Sequence, residues 1–159
     1  MAAARKVNST TRILDTRKTL PGLRALQKAA VRAGGGTNHR ANLSDAVMLK
    51  DNHLGALSIP DAVAEAKRRW PGRMVEVECD RTEQALEAAQ AGATVVMLDN
   101  MTPEQATGTI KALRALEEGG DVLVEVSGGI TLDDVEAYAA AGVDLISVGA
   151  LTHSVRVHD

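Results

Sequence analysis

The chain has 159 residues, 45% of them hydrophobic, and a formal net charge of −3; this suits one domain around one core and leaves no room for a second of normal size. Aromatic residues make up 1% of the chain, Trp70 and Tyr138 with no Phe, so the core must be built from Ala, Val, Leu, Ile and Met, and stacking platforms for single-stranded nucleic acid are missing. Residues 1–50 hold ten Lys or Arg against two acids, Asp15 and Asp45, while the remainder holds eight against nineteen; a basic segment in an acidic chain suits local work on an anion, not nonspecific DNA binding.

Residues 1–10 match no recognisable motif, and they lack the apolar core of about 7–15 residues that a signal peptide needs. No stretch approaches the ~18 apolar residues of a membrane span, so a soluble, cytoplasmic protein is expected. The single cysteine, Cys79, excludes an internal disulfide and a Cys-based metal site. It lies in the run Val75-Glu76-Val77-Glu78-Cys79, the place of a structural thiol.

Short β-rich runs alternate with longer Ala-rich runs of helical period. Strands are predicted near Arg12 to Asp15, Ala46 to Lys50, Met74 to Glu78, Thr94 to Leu98, Val122 to Val126 and Asp144 to Val148. Helix starts are predicted at Pro21, at Ser58-Ile59-Pro60-Asp61, at Thr82 as N-cap, at Thr102-Pro103-Glu104 and at Thr131-Leu132-Asp133-Asp134. Gly92, Gly119 and Gly142 follow the helices as stops. Strand and helix alternating without a hairpin signal imply parallel strands, and nearly continuous apolar strands imply two covered faces. The fold class is therefore α/β, either doubly wound or a (β/α) barrel.

Loop chemistry favours a six-stranded, partly open barrel. Ser127-Gly128-Gly129-Ile130 and Gly149-Ala150-Leu151 follow the last two strands, as paired phosphate-cradling loops do in such barrels. Sites on these folds gather at the carboxyl ends of the strands. Those ends offer Arg17 and Lys18, Lys50, Glu78, Asp99, Ser127 to Gly129, and Gly149 to Ala150.

His39 and Arg40 follow Gly34-Gly35-Gly36 in the loop before the second strand, a position at the opposite barrel end unless that segment folds back or forms an added hairpin. Guanidinium and ammonium groups with one His suit a substrate bearing more than one carboxylate. Lys50 beside the glycine loops suits phosphate, and Glu78 with Asp99 suits Mg2+ or sugar hydroxyls. Together these groups suggest glycosyl transfer from a diphosphorylated ribose.

Seven stretches in order resemble the α/β-barrel domain of quinolinate phosphoribosyltransferase. They are Asp15 to Arg24, Gly34 to Arg40, Leu49 to His53, Val75 to Glu78, Met97 to Asn100, Ser127 to Ile130 and Ile146 to His153. The resemblance implies a barrel domain over residues 11–159, without the family's N-terminal domain and C-terminal tail. It also implies a homodimer, or higher homo-oligomer, for a full-length member, with no nucleic-acid or membrane partner.

The implied activity converts quinolinate and phosphoribosyl pyrophosphate to nicotinate mononucleotide, pyrophosphate and CO2, with Mg2+ as cofactor, in NAD biosynthesis. By motif, Arg17, Lys18, His39 and Arg40 would clamp the quinolinate carboxylates. Lys18 and Lys50 would meet the phosphoribosyl donor. Glu78 and Asp99 would meet its ribose hydroxyls and Mg2+, directly or indirectly, and Lys18, Lys50, Glu78 and Asp99 are the implied catalytic set. Ser127, Gly128 and Gly129 with Gly149 and Ala150 would hold the 5′-phosphate, with His153 close by. Alternatives are a related barrel serving molybdenum uptake or nicotinate use, or a silent truncated remnant that binds only anions or a partner.

Overall fold

A computed structural model describes residues 4, 7, 8, 10–55 and 57–154. Six strands, β1 (Arg12–Leu14), β2 (Val47–Leu49), β3 (Val75–Cys79), β4 (Val95–Asp99), β5 (Leu123–Ser127) and β6 (Leu145–Ser147), form one sheet. Its order is β1-β6-β5-β4-β3-β2, and every pairing is parallel. The helices are α1 (Arg24–Ala33), α2 (Asp51–Leu54), α3 (Ile59–Arg69), α4 (Thr82–Gln90), α5 (Pro103–Arg114), α6 (Val135–Ala140) and α7 (Ala150–His153). No helix among the described residues is long and apolar enough to cross a membrane.

Side-chain alternation gives each strand two distinct faces. Val75, Val77 and Cys79 of β3, Val96 and Leu98 of β4, Val124 and Val126 of β5 and Ile146 of β6 join the main hydrophobic core. Small residues let the helices lie close to that face: α4 brings Ala85, Ala88 and Ala89, and α3 brings Ala62, Val63 and Ala66. Burial pushes the Cys79 thiol up to about 12, helped by the charges of Asp80 and Glu78; it is an inert core group. The opposite face departs from the expectation of continuous apolar strands, because Glu76, Glu125 and Ser147 are buried on it.

Helix starts follow local hydrogen bonding. The Ser58 hydroxyl accepts from the Asp61 N–H at 3.2 Å, and Thr102 and Gln105 form a reciprocal capping box. Three expected starts shift. Pro21 sits in a turn with Gly22, so α1 begins at Arg24. Thr82 is the first helical residue, with Arg81 at the cap position. The Asp134 carboxylate accepts from the Thr131 N–H and hydroxyl at 2.9 and 2.6 Å, a local turn that delays α6 to Val135.

The segment after α1 decides where the basic residues go. Gly34, Gly35 and Gly36 donate back to Ala30, Arg32 and Val31, with Gly35 at φ +83, a conformation that favours glycine. The chain then returns beside β1. Thr37 donates to Ile13 O at 2.9 Å, accepts from Asp15 N at 3.3 Å, and forms a parallel bridge with Leu14. A parallel addition, not a hairpin, thus carries His39 and Arg40 toward the carboxyl ends of the strands.

Asp15 holds this addition in place. Its carboxylate is fully buried and accepts from Lys28 Nζ at 2.5 Å, Asn38 Nδ2 at 2.6 Å and the His39 N–H at 2.8 Å. Lys28 Nζ also donates to His39 O at 2.9 Å. Asp15→Ala would strand the buried Lys28 ammonium, and breaking such a pair costs about 3–5 kcal/mol. Urea denaturation should register a loss of that size; a loss within the ±0.5 kcal/mol typical of neutral surface changes would contradict the pinning role.

Candidate active site

The carboxyl ends of the strands surround a cavity of about 450 Å³. Thr16, Arg17 and Lys18 reach it from the end of β1, and His39 and Arg40 from the folded-back segment. Met48 and Lys50 come from β2, Glu78 from β3, Met97, Asp99 and Asn100 from β4, Ser127 to Gly129 from β5, and Ser147 from β6. Residues from both ends of the strand order line one cavity, so the sheet curves round on itself. No strand pairing joins β1 to β2 among the described residues. Arg40 spans that gap instead, with Nη1 3.4 Å from Ala46 O and Nη2 3.1 Å from Met48 Sδ.

The cationic wall is staged from behind. Arg24 donates to Arg17 O at 3.0 Å, Thr19 Oγ1 at 3.1 Å and Ala41 O at 3.1 Å, tying both flanking loops to α1. Thr152 Oγ1 donates to Lys18 O at 2.7 Å. Arg17 Nε is buried and has no acceptor among the described residues, an unmet donor that an anionic ligand would satisfy. Burial lowers the Arg40 pKa and the neighbouring Arg17 adds to that effect, while the charge of Glu76 opposes it; the cations are close enough to repel until an anion enters.

The acidic groups come from β3 and β4. Lys50 Nζ is ion-paired with Glu78 Oε2. Burial and the charge of Glu78 raise the Asp99 carboxyl, with Lys50 and Lys18 opposing. Two facing carboxylates with oxygen donors match the chemistry of a hard divalent cation that keeps water and phosphate ligands. Beside them, Gly128 at φ +104 packs on Asn100, and a Cβ there would collide with the Asn100 side chain. At Gly129 a Cβ would meet nothing within 4 Å, leaving the loop open to the cavity.

His39 turns its ring inward. Nε2 lies 3.3 Å from Glu76 Oε2 and 3.4 Å from Glu125 Oε2, with the His39 side chain 8% exposed. Burial would lower its pKa, but hydrogen bonding to Glu125 and Glu76, with their charges, raises it to about 10. Glu76 is raised as well, by burial and by the charge of Glu125. Because Nδ1 accepts from the Arg40 N–H at 2.7 Å, the ring proton sits on Nε2, facing the two carboxylates. The ligand atoms of the three residues lie within 4.8 Å of one another, yet a protonated Nε2 has no lone pair for a cation.

Of the residues singled out in the sequence, Arg17, Lys18, His39, Arg40, Lys50, Glu78, Asp99, Ser127, Gly128 and Gly129 share the cavity. Gly149, Ala150 and His153 are not among its lining residues. They belong to the start and end of α7, whose observed contact with the site is the Thr152 bond to Lys18 O. His153 is exposed, with Nδ1 2.7 Å from Ser154 Oγ. His53 faces an adjoining hollow of about 890 Å³ that shares Arg17, Arg40, Met48 and Lys50 with the first.

Sequence reasoning missed Met48, Met97 and Ser147 on the cavity wall, and Glu76 and Glu125 beneath it. Period-two spacing was the available signal: Met48, Glu76, Met97 and Glu125 each lie two residues before a strand-end residue already chosen, Lys50, Glu78, Asp99 and Ser127.

The family model for the C-terminal domain of quinolinate phosphoribosyl transferase matches residues 1–159, including residues 1–10, where no motif was recognised. A probable nicotinate-nucleotide pyrophosphorylase [carboxylating] of Bacillus subtilis is 49% identical over 151 residues, covering 93% of this chain and 50% of the relative. The corresponding protein of Methanothermobacter thermautotrophicus is 45% identical over 158 residues, covering 98% and 57%. Among solved structures, the nicotinate-nucleotide pyrophosphorylase from Francisella tularensis superposes with a TM-score of 0.86 at 43% identity, covering 98% of this chain and 54% of that one. NadC from Streptococcus pyogenes gives a TM-score of 0.86 at 43% identity, covering 96% and 53%. The chain spans about half the length of these relatives. With the motifs, the parallel α/β fold and a match along its whole length in agreement, the chain belongs to the family of quinolinate phosphoribosyl transferase C-terminal domains.

Proposed function

We propose that this chain carries the catalytic barrel of a quinolinate phosphoribosyltransferase. It would transfer phosphoribosyl from phosphoribosyl pyrophosphate to the quinolinate nitrogen and release nicotinate mononucleotide, pyrophosphate and CO2, a cytoplasmic step of NAD biosynthesis carried out by a full-length homodimer or higher homo-oligomer. The observation that carries this reading is one cavity lined together by the cations Arg17, Lys18 and Arg40, the carboxylates Glu78 and Asp99, and the open Ser127–Gly129 loop. A dicarboxylate fits the cations, and a ribose phosphate with its metal fits the carboxylates and the loop.

In this mechanism Arg17, Lys18 and Arg40 hold the two ring carboxylates and present the nitrogen to ribose C1. Arg17 Nε, buried without an acceptor among the described residues, gains one in the complex. Glu78 and Asp99 would hold Mg2+, which supplies charge neutralisation for the departing pyrophosphate. Lys50, paired with Glu78, can shift its charge toward a donor phosphate. The Ser127–Gly129 loop receives the 5′-phosphate.

Positive charge develops at ribose C1 as pyrophosphate leaves, and the acidic wall is already set to stabilise it. Once the ring nitrogen is bonded to C1 it is cationic. The electron pair of the bond from C2 to its carboxylate then stays on C2 as CO2 departs, stabilised by the adjacent cationic nitrogen, and C2 takes up a proton from water.

The direct test mixes the purified chain with quinolinate, phosphoribosyl pyrophosphate and Mg2+ and follows nicotinate mononucleotide and CO2. Both should appear together and only with Mg2+; a chain that binds neither substrate contradicts the reading. Arg40→Ala should weaken quinolinate binding about 10- to 100-fold, the worth of a hydrogen bond to a charged group, with donor affinity unchanged in calorimetry. Equal loss of both ligands would contradict its place on the acceptor wall. Asp99→Asn should lower kcat by about 10²–10³, as loss of one preorganised charge does, with quinolinate affinity retained; unchanged turnover would remove Asp99 from the reaction.

A further inference from the structure

We propose that Glu76 and Glu125 are positioning residues for the acceptor end of this site, orienting the His39 ring and, through it, the Arg40 backbone; the proposal rests on the reading above. Neither carboxylate lines the cavity. Both are buried on the inner face of the sheet, at 0% and 1% exposure. Glu125 pairs in register with Met97 and Leu145, where an apolar side chain would pack at lower cost. Buried carboxylates are retained where their partners require them. Here both converge on one ring.

The linkage runs in one direction. Ser147 Oγ donates to Glu125 Oε1 at 2.6 Å, fixing that carboxylate so that Oε2 stands 3.4 Å from His39 Nε2. From the other side, Glu76 places Oε1 3.4 Å and Oε2 3.3 Å from the same nitrogen. Among the described residues Glu76 Oε2 has no hydrogen-bond partner, and the side-chain hydrogen bond that Glu76 makes is the one its Oε1 accepts from His39. The ring held between them presents Nδ1 to the Arg40 N–H at 2.7 Å.

The Arg40 guanidinium contacts Ala46 O at 3.4 Å and Met48 Sδ at 3.1 Å, while its backbone N–H is held by the His39 ring. Met48 is also the register partner of Glu76, so the same strand pair controls both ends of the Arg40 side chain. Glu78 and Asp99 make no hydrogen bond within this linkage among the described residues.

The test uses the full chain as wild type, Glu76→Gln and Glu125→Gln, which keep size while replacing the carboxylate. Calorimetric titration with quinolinate and with phosphoribosyl pyrophosphate is paired with ring-15N NMR of labelled histidine. Each variant should weaken quinolinate binding about tenfold or more, the effect of losing a hydrogen bond to a charged group, while donor affinity stays within about twofold. The His39 ring signals should lose the single wild-type tautomer, protonated at Nε2, for a mixture. Ser147→Ala should act in the same direction with a smaller effect.

A merely structural role predicts that both ligands weaken in step with the melting temperature, and that result would overturn the proposal. An unchanged His39 tautomer in both variants would overturn it too. If wild type binds neither substrate, the functional reading fails, and the NMR comparison still decides whether the two carboxylates set the ring.

Discussion

The site depends on one buried carboxylate. Asp15 directly follows the first strand, and three donors from α1 and the segment beyond it, Lys28, Asn38 and the His39 N–H, meet its two oxygens. An isolated carboxylate in such a place would cost several kcal/mol of desolvation, so the ammonium, the amide and the backbone donor are required together. Their geometry admits one path for the chain, alongside β1 and toward the same end of the sheet. Without that pin His39 and Arg40 would lie in an ordinary connection at the far end of the barrel.

From this pin the site grows in layers. The helix-facing side of the sheet is closed by Val, Leu, Ile and Ala. The inner side carries a buried polar layer, Glu76, Glu125, Ser147 and the His39 ring, beneath the solvent-accessible layer of Arg17, Lys18, Arg40, Glu78 and Asp99. Hydrogen bonds in the lower layer strengthen in its low dielectric, and each unpaired atom there is correspondingly costly. The upper layer holds cations and carboxylates round one cavity, a preorganised field set before any ligand arrives.

Much of this was legible from the residues, and the limits have physical causes. All six strands could be read because each is a short β-branched run bounded by helix caps and glycine stops, signals that act over a few residues. The strand-end rule then found Lys50, Glu78, Asp99 and Ser127, since a parallel sheet fixes which end carries the chemistry. The return of the Gly34–Arg40 segment was not legible: it is decided by Asp15 meeting Lys28 and Asn38, and no local pattern encodes a contact across 23 residues. The buried glutamates were hidden by treating Val75 to Cys79 as an apolar run, although its alternation was visible. Gly149 and His153 were placed by motif alone; what the structure adds is that α7 between them holds the Lys18 backbone through Thr152.

The central claim is that one cavity has an acceptor wall and a donor wall, joined by a segment that Asp15 pins. A crystal structure of the chain soaked with quinolinate tests it most directly. The account predicts the two ring carboxylates against Arg17, Lys18 and Arg40, with Arg17 Nε donating to one of them and the His39 ring still turned toward Glu76 and Glu125. Quinolinate seated on the glycine loop, or His39 swung out to meet it in place of Arg40, would contradict the account.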